Sequence, residues 1–134
     1  MSITHPADFL RTVLIVDAAT CVASGLLMTL GATFLSGLTA IPSGLLLYAG
    51  LSLFPIAAFM AVTATRPVLF RPAVWLIIAG NALWVVASVL IMLDGFVAPN
   101  GLGYAFIIAQ AVAVGVLAEL EFMGLRRHVA ALSA

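Results

Sequence analysis

Residues 73–93 read AVWLIIAGNALWVVASVLIML, a run of 21 residues that contains one amide, Asn81, and no charged side chain. A membrane helix needs about 20 mainly apolar residues to cross a hydrocarbon core that is ~30 Å thick. At a rise of ~1.5 Å per residue, a helix of this length reaches about 32 Å. The stretch therefore predicts a membrane-spanning helix.

Three further segments have the same character, near residues 9–30, 44–63 and 102–123. Across the 134 residues, 65% are hydrophobic and 7% are charged, whereas soluble domains carry roughly 25% charged residues. The prediction is an all-α fold in which residues 1–134 form a single membrane four-helix bundle. The apolar connection at residues 31–43 is expected to lie in the membrane interface as a short helix or to lengthen one of its neighbours.

The arginines indicate how the chain is oriented. All five Lys or Arg residues are arginines, and they fall at the N-terminal end of the first span, between the second and third spans, and after the fourth. They are Arg11, Arg66, Arg71, Arg126 and Arg127. Since basic residues are enriched in cytoplasmic loops, this bias predicts that both termini face the cytoplasm of a bacterial inner membrane.

The two halves of the chain resemble each other. At an offset of 64 residues, Asp17 aligns with Asn81, and seven of the fifteen positions from 17 to 31 are identical to their counterparts. This pattern predicts an internal repeat of two parallel two-helix units, about 9–65 and 73–127, related by an axis along the membrane normal.

One face of the first span is expected to meet the aligned face of the third, with small residues that allow close approach. The two faces are Asp17, Cys21, Ser24 and Met28 in one helix and Asn81, Val85, Ser88 and Met92 in the other.

Polar residues in the spans form the candidate site. Asp17, Asn81 and Glu119 are predicted at similar depth, whereas Glu121 is expected to be interfacial and solvated. A charged Asp at a helix centre costs about 2.5–3.5 kcal/mol on insertion scales, so Asp17 should face protein or water. One interpretation is a site for a proton, a cation or a polar headgroup. The other, which we prefer at this point, is a structural hydrogen bond between Asp17 and Asn81.

Catalytic and metal-binding patterns are missing from the sequence. Cys21 is the single cysteine, and His5 and His128 lie outside the spans without a second ligand at helical spacing. There is no Ser-His-Asp set and no Gly-rich phosphate loop. We therefore predict no catalytic residues, no metal and no cofactor, and the zero net charge gives no reason to expect nucleic acid as a partner.

These observations predict a non-enzymatic structural or accessory membrane protein. Its expected partners are the lipid bilayer and either a second copy of itself or another membrane protein. The alternative is a small transporter or carrier of a cation or lipophilic molecule that uses the polar layer.

Two sequence stretches carry a resemblance to known proteins. Residues 81–88 read NALWVVAS, and residues 103–127 run from GYAF to ELEFMGLRR. In these stretches the chain resembles a group of small, uncharacterised bacterial four-span membrane proteins, which implies an inner-membrane location and no particular activity. Small multidrug transporters also have four spans with an acidic residue in the first. The parallel repeat and the arginine bias depart from that family, so its mechanism is not carried over.

The predicted orientation can be tested with alkaline phosphatase, which is active only outside the cytoplasm. A fusion after residue 134 should be inactive, and an insertion in the connection at residues 94–100 should be active, because the arginine-rich regions are expected in the cytoplasm. A fluorescent protein fused at the same sites provides the complementary control. The reverse pattern of activities would contradict the prediction.

Overall fold

The computed structural model describes residues 5–133, and this part of the chain is all-helical. Its helices are α1 (Pro6–Leu30), α2 (Ala32–Thr39), α3 (Ser43–Thr65), α4 (Arg71–Leu93) and α5 (Gly101–Ser133). The four long helices are long and apolar enough to cross a membrane. The predicted all-α fold with four long apolar helices is confirmed, and the connection after α1 contains the short helix α2.

Asn100 joins the two halves of the chain at one end of the bundle. Its side-chain oxygen accepts a hydrogen bond of 2.8 Å from the backbone N–H of Gly103, in the first turn of α5. Asparagine is a favourable residue at this capping position, because it satisfies a backbone donor that has no partner within the helix. Its amide nitrogen donates to the carbonyl of Leu38 at 2.8 Å, which ties the start of α5 to α2.

Arg11 forms hydrogen bonds across the other end of the bundle, which we call the arginine end. Its guanidinium donates to the carbonyls of Ala64 at 2.7 Å and Pro67 at 2.9 Å, and also to that of Arg66. These bonds attach α1 to the end of α3 and to the connection that leads into α4. Helices α1 and α4 therefore both start at this end and run in the same direction.

Helix α1 lies at the centre of the packing, with α3 and α5 against it and α4 against α5. A Cβ atom built at Gly25 of α1 would lie 3.0 Å from the carbonyl oxygen of Gly50 in α3. A Cβ atom at Gly124 of α5 would lie 3.1 Å from the ring of Phe9. Close approach thus occurs at these two crossings, where a glycine leaves room for the facing helix.

The predicted close approach of α1 and α4 is wrong. No Cα atom of α4 lies within 8 Å of a Cα atom of α1. The small residues of the α1 face line a cavity instead, and the closest backbone contact of α1 is with α3.

The two hairpins do not pack symmetrically. Helix α1 packs along α5, whereas the equivalent pair under the predicted repeat, α3 and α4, is barely in contact. Helix α2 also has no counterpart in the second half of the described chain. The common direction of α1 and α4 is compatible with a parallel repeat, but the repeat itself stays a prediction.

The α1–α3 crossing can be tested by replacing Gly50 with alanine. The new Cβ atom would lie 2.8 Å from Thr29 Oγ1 and 3.0 Å from the Thr29 backbone nitrogen, and that backbone has little room to move. We expect Gly50→Ala to lower the free energy of unfolding in detergent by about 1–3 kcal/mol, the usual range for overpacking.

Gly44→Ala in the same helix is the matched control, since a Cβ atom there meets nothing within 4 Å. Its stability should stay at or slightly above that of the wild type, because alanine favours helix. Equal stabilities of the two variants would show that the close crossing does not limit packing.

Candidate binding site

Asn81 lies at the centre of a buried polar cluster that joins three helices. Its Nδ2 atom donates to Asp17 Oδ2 of α1 at 2.7 Å and faces both carboxyl oxygens of Glu121 in α5, at 3.2 and 3.4 Å. Glu121 is also within hydrogen-bonding reach of Asp17. The exposed fractions are 1% for Asp17, 7% for Asn81 and 0% for Glu121. The structure therefore brings Asp17 and Asn81 together, as the sequence predicted.

Glu119 does not belong to this cluster, and the prediction of its role is wrong. Its side chain is exposed, whereas Glu121, which we expected to be solvated, is fully buried. Two residues correspond to about 200° around a helix, so the two glutamates point to opposite sides.

The side of α5 that faces α1 could have been recognised from neighbouring residues. Glu121, Gly124 and Leu125 are three and four residues apart, which places them on one helix face, and all three are buried. Gly124 is the residue against which Phe9 of α1 packs. The glycine three residues after Glu121 is therefore the sequence feature that indicates that this face of α5 packs against α1.

A cavity of about 460 Å³ extends from this cluster along the middle of the bundle, between α1, α3, α4 and α5. We call it the main cavity. Asp17 and Asn81 border one end, Trp84 and Gln110 lie farther along it, and Pro55 forms part of the α3 wall. The other lining residues are Thr20, Cys21, Ser24, Met28, Leu53, Ile56, Phe59, Met60, Leu76, Ile77, Gly80, Ala113, Val114 and Leu117.

Asp17 is the single charged residue in the lining of the main cavity. Within the described chain, the basic residues lie elsewhere: Arg11 is bonded to the α3–α4 connection, and His128 interacts electrostatically with Arg11 and Arg71. The nearest titratable neighbours of Asp17 are Glu121 and Cys21, whose Sγ atom lies 3.8 Å from Asp17 Oδ1. The cavity therefore contains a carboxyl group that no basic side chain neutralises.

A second polar cluster lies farther from the arginine end. Gln110 of α5 accepts a hydrogen bond from the Trp84 indole N–H and donates to Ser88 Oγ at 2.9 Å. It also donates to the carbonyl of Ile107 at 2.9 Å. The sequence suggested no partner for Gln110, although Trp84 and Ser88 are one helical turn apart and therefore share a face of α4.

The described residues contain no group of three or more His, Cys, Asp or Glu side chains that could hold a metal ion. Comparisons with protein-family models, with curated proteins and with solved structures each found no match to this chain. The functional argument therefore rests on the geometry of the main cavity and its polar clusters.

The importance of the Asn81 amide can be tested with Asn81→Leu. This change leaves two buried carboxyl groups without their shared donor, and an unsatisfied buried polar group costs about 1–3 kcal/mol. We expect a loss of unfolding free energy in that range, measured by denaturant titration in detergent.

The control is a triple variant, Asp17→Leu, Asn81→Leu and Glu121→Leu. Replacing all hydrogen-bonding partners by apolar groups of similar shape can be nearly neutral, so the triple variant should be more stable than Asn81→Leu alone. If Asn81→Leu is as stable as the wild type, the amide does not hold the carboxyl groups.

Proposed function

We propose that this protein is a non-enzymatic membrane carrier that binds a small lipophilic cation in the main cavity, with Asp17 as the charged contact. The observation that carries the proposal is an apolar cavity in which the single charged side chain is a buried carboxyl group. Its volume of about 460 Å³ falls within the roughly 300–1,000 Å³ typical of small-molecule sites.

The lining of the main cavity favours a cation over other ligands. A carboxylate removed from water is stable only with a partner of opposite charge or after protonation, and no basic residue lines the cavity. An anion would be repelled by Asp17, and a strongly polar molecule would lose its hydration against the apolar walls. The rings of Phe59 and Trp84 in the lining add faces that attract an organic cation.

A lipophilic molecule has a direct route to the main cavity from the bilayer. Helices α3 and α4 are barely in contact, and lining residues along this seam, Phe59 of α3 and Leu76 of α4, are 41% and 62% exposed. We propose that the ligand partitions into the lipid and enters between these two helices.

A structural or accessory role is the second candidate function, and the hydrogen bonds of Asn81 favour it. This amide connects α1, α4 and α5, so its purpose could be to hold the helices in place. The bulky apolar side chains on the outer surface suit the bilayer, a second copy or another membrane protein. Under this alternative the main cavity would bind no ligand specifically.

The location follows the same reasoning as the sequence prediction. We propose that the protein resides in a bacterial inner membrane with the arginine end in the cytoplasm. The arginine bias supports this orientation. The hydrogen bonds of Arg11 hold the α3–α4 connection at the same end as the start of α1.

Binding can be tested by filling the main cavity. Gly80 lines it, and a Cβ atom there meets nothing within 4 Å, so Gly80→Leu should occupy cavity space without disturbing the helices. We expect it to raise the Kd for tetraphenylphosphonium by at least about tenfold, or ~1.4 kcal/mol. The measurement is isothermal titration calorimetry in detergent, with protein-free micelles as the blank.

Gly37→Leu is the matched control, because a Cβ atom there is equally unobstructed and Gly37 is not among the cavity lining residues. Its Kd should equal that of the wild type. Tetraphenylborate, an anion of the same shape, should bind more weakly than tetraphenylphosphonium to the wild-type protein. Absence of saturable binding, or equal Kd values for Gly80→Leu and Gly37→Leu, would reject the carrier and favour the structural role.

A further inference from the structure

The polar cluster at the end of the main cavity contains two acids and one amide. The amide nitrogen of Asn81 carries two hydrogens. One suffices for Asp17 Oδ2 at 2.7 Å, and the other for Glu121, whose carboxyl oxygens lie at 3.2 and 3.4 Å. Asp17 and Glu121 are also within hydrogen-bonding reach of each other. Since both amide hydrogens are used, a hydrogen bond between the two acids needs a hydrogen of its own.

That hydrogen must come from one of the two acids. An ionised carboxyl group only accepts hydrogen bonds, whereas a protonated one has an O–H that donates. Asp17 and Glu121 are 1% and 0% exposed, so water does not screen their charges, and adjacent buried carboxyl groups strongly disfavour ionisation of both.

No positive charge of the described chain compensates the two acids. Arg11 is bonded to the α3–α4 connection, and the titratable group that acts on both acids is the thiol of Cys21, which brings no positive charge. The pair of Asp17 and Glu121 is therefore expected to share a proton.

The surroundings of the two acids indicate which of them holds the proton. Asp17 accepts the shorter bond from Asn81, and bonds to an ionised group are the shorter ones. Cys21 Sγ, 3.8 Å from Asp17 Oδ1, adds a weak donor. Glu121 has the longer bonds to Asn81, is fully buried and does not line the main cavity. A cation in the cavity can thus neutralise Asp17 directly but cannot touch Glu121.

We propose that Glu121 is a protonated acid that donates a hydrogen bond to Asp17 and so keeps the binding site at a single negative charge. The inference rests on the proposed function for its ligand and adds the charge that this ligand must carry. One negative charge selects a monovalent organic cation, because a dication would keep an uncompensated charge against apolar walls. Glu121 acts through Asp17 and is a positioning residue.

The proton can be observed without any ligand, by infrared spectroscopy at neutral pH in dodecylmaltoside, a detergent without ester carbonyls. A protonated carboxyl group has a C=O stretching band separate from the bands of carboxylates. Glu121→Gln should remove this band. Glu119→Gln should keep it and is the matched control, since Glu119 is exposed on the same helix. In Asp17→Asn the band should persist at a shifted frequency, because Glu121 is still buried and protonated.

Two infrared results would overturn the proposal. A band that survives in Glu121→Gln and disappears in Asp17→Asn would place the proton on Asp17. A wild-type spectrum without a protonated carboxyl band would mean that both acids are ionised. Neither result depends on whether the protein binds a cation.

The effect on the binding site is measured with 1-methyl-4-phenylpyridinium, a monovalent cation, by calorimetry in the same detergent. Glu121→Leu removes the donor to Asp17 and should raise the Kd by about 5- to 10-fold, the factor that corresponds to one hydrogen bond. Glu121→Gln has the shape of the protonated acid and keeps a donor, so it should restore the affinity. Glu119→Gln should bind like the wild type.

The charge of the ligand is tested with methyl viologen, a dication with aromatic rings of similar size. The wild-type protein should bind it at least about tenfold more weakly than 1-methyl-4-phenylpyridinium. Equal or tighter binding of the dication would show that the site carries more than one negative charge. So would a Kd for Glu121→Gln as high as that for Glu121→Leu, since Glu121 would then contribute a charge of its own.

The outcomes separate this inference from the proposed function. If the infrared band belongs to Glu121 but no cation binds in a saturable manner, the protonated acid stands and the carrier fails. If 1-methyl-4-phenylpyridinium binds and Gly80→Leu weakens it, but the band does not belong to Glu121, the carrier stands and the inference fails.

Discussion

A single amide group, that of Asn81, faces carboxyl groups from two other helices in the interior of the bundle. Burying two carboxyl groups side by side is unfavourable unless donors or protons compensate their charge. The amide supplies one such donor, and it links α4 to α1, with which α4 has no backbone contact, and to α5, against which α4 also packs. Because α4 reaches α1 at this point without backbone contact, the helices remain apart beyond it, and the main cavity occupies that space.

The position of the glycines explains why the bundle is asymmetric. Gly25 and Gly50 allow α1 and α3 to approach closely, and Gly124 does the same for α1 and α5. No comparable close crossing joins α3 to α4, which are barely in contact. Helix α1 therefore packs closely against α3 and α5, while the seam between α3 and α4 stays open. The proposed carrier function requires such a lateral opening, because its lipophilic ligand would enter the main cavity from the bilayer.

The two ends of the bundle differ in how they are held. At the arginine end, Arg11 bonds to several backbone carbonyls above a packed apolar cluster. At the other end, Asn100 ties α5 to α2, and a second buried apolar cluster that includes Leu35, Ile41 and Leu46 packs beneath it.

The sequence by itself determined the all-α class, the four long apolar helices and the pairing of Asp17 with Asn81. Hydropathy and helix length are local properties, and the alignment of the two halves placed these two polar residues at one depth. Only the tertiary structure decided that Glu121, and not Glu119, completes the cluster, because both glutamates lie at nearly the same depth and differ only in direction around α5. That direction depends on where Gly124 lets α5 rest on α1. The main cavity could not be predicted from the sequence either. It exists where helices do not touch, and no residue pattern within one helix encodes the distance to another helix.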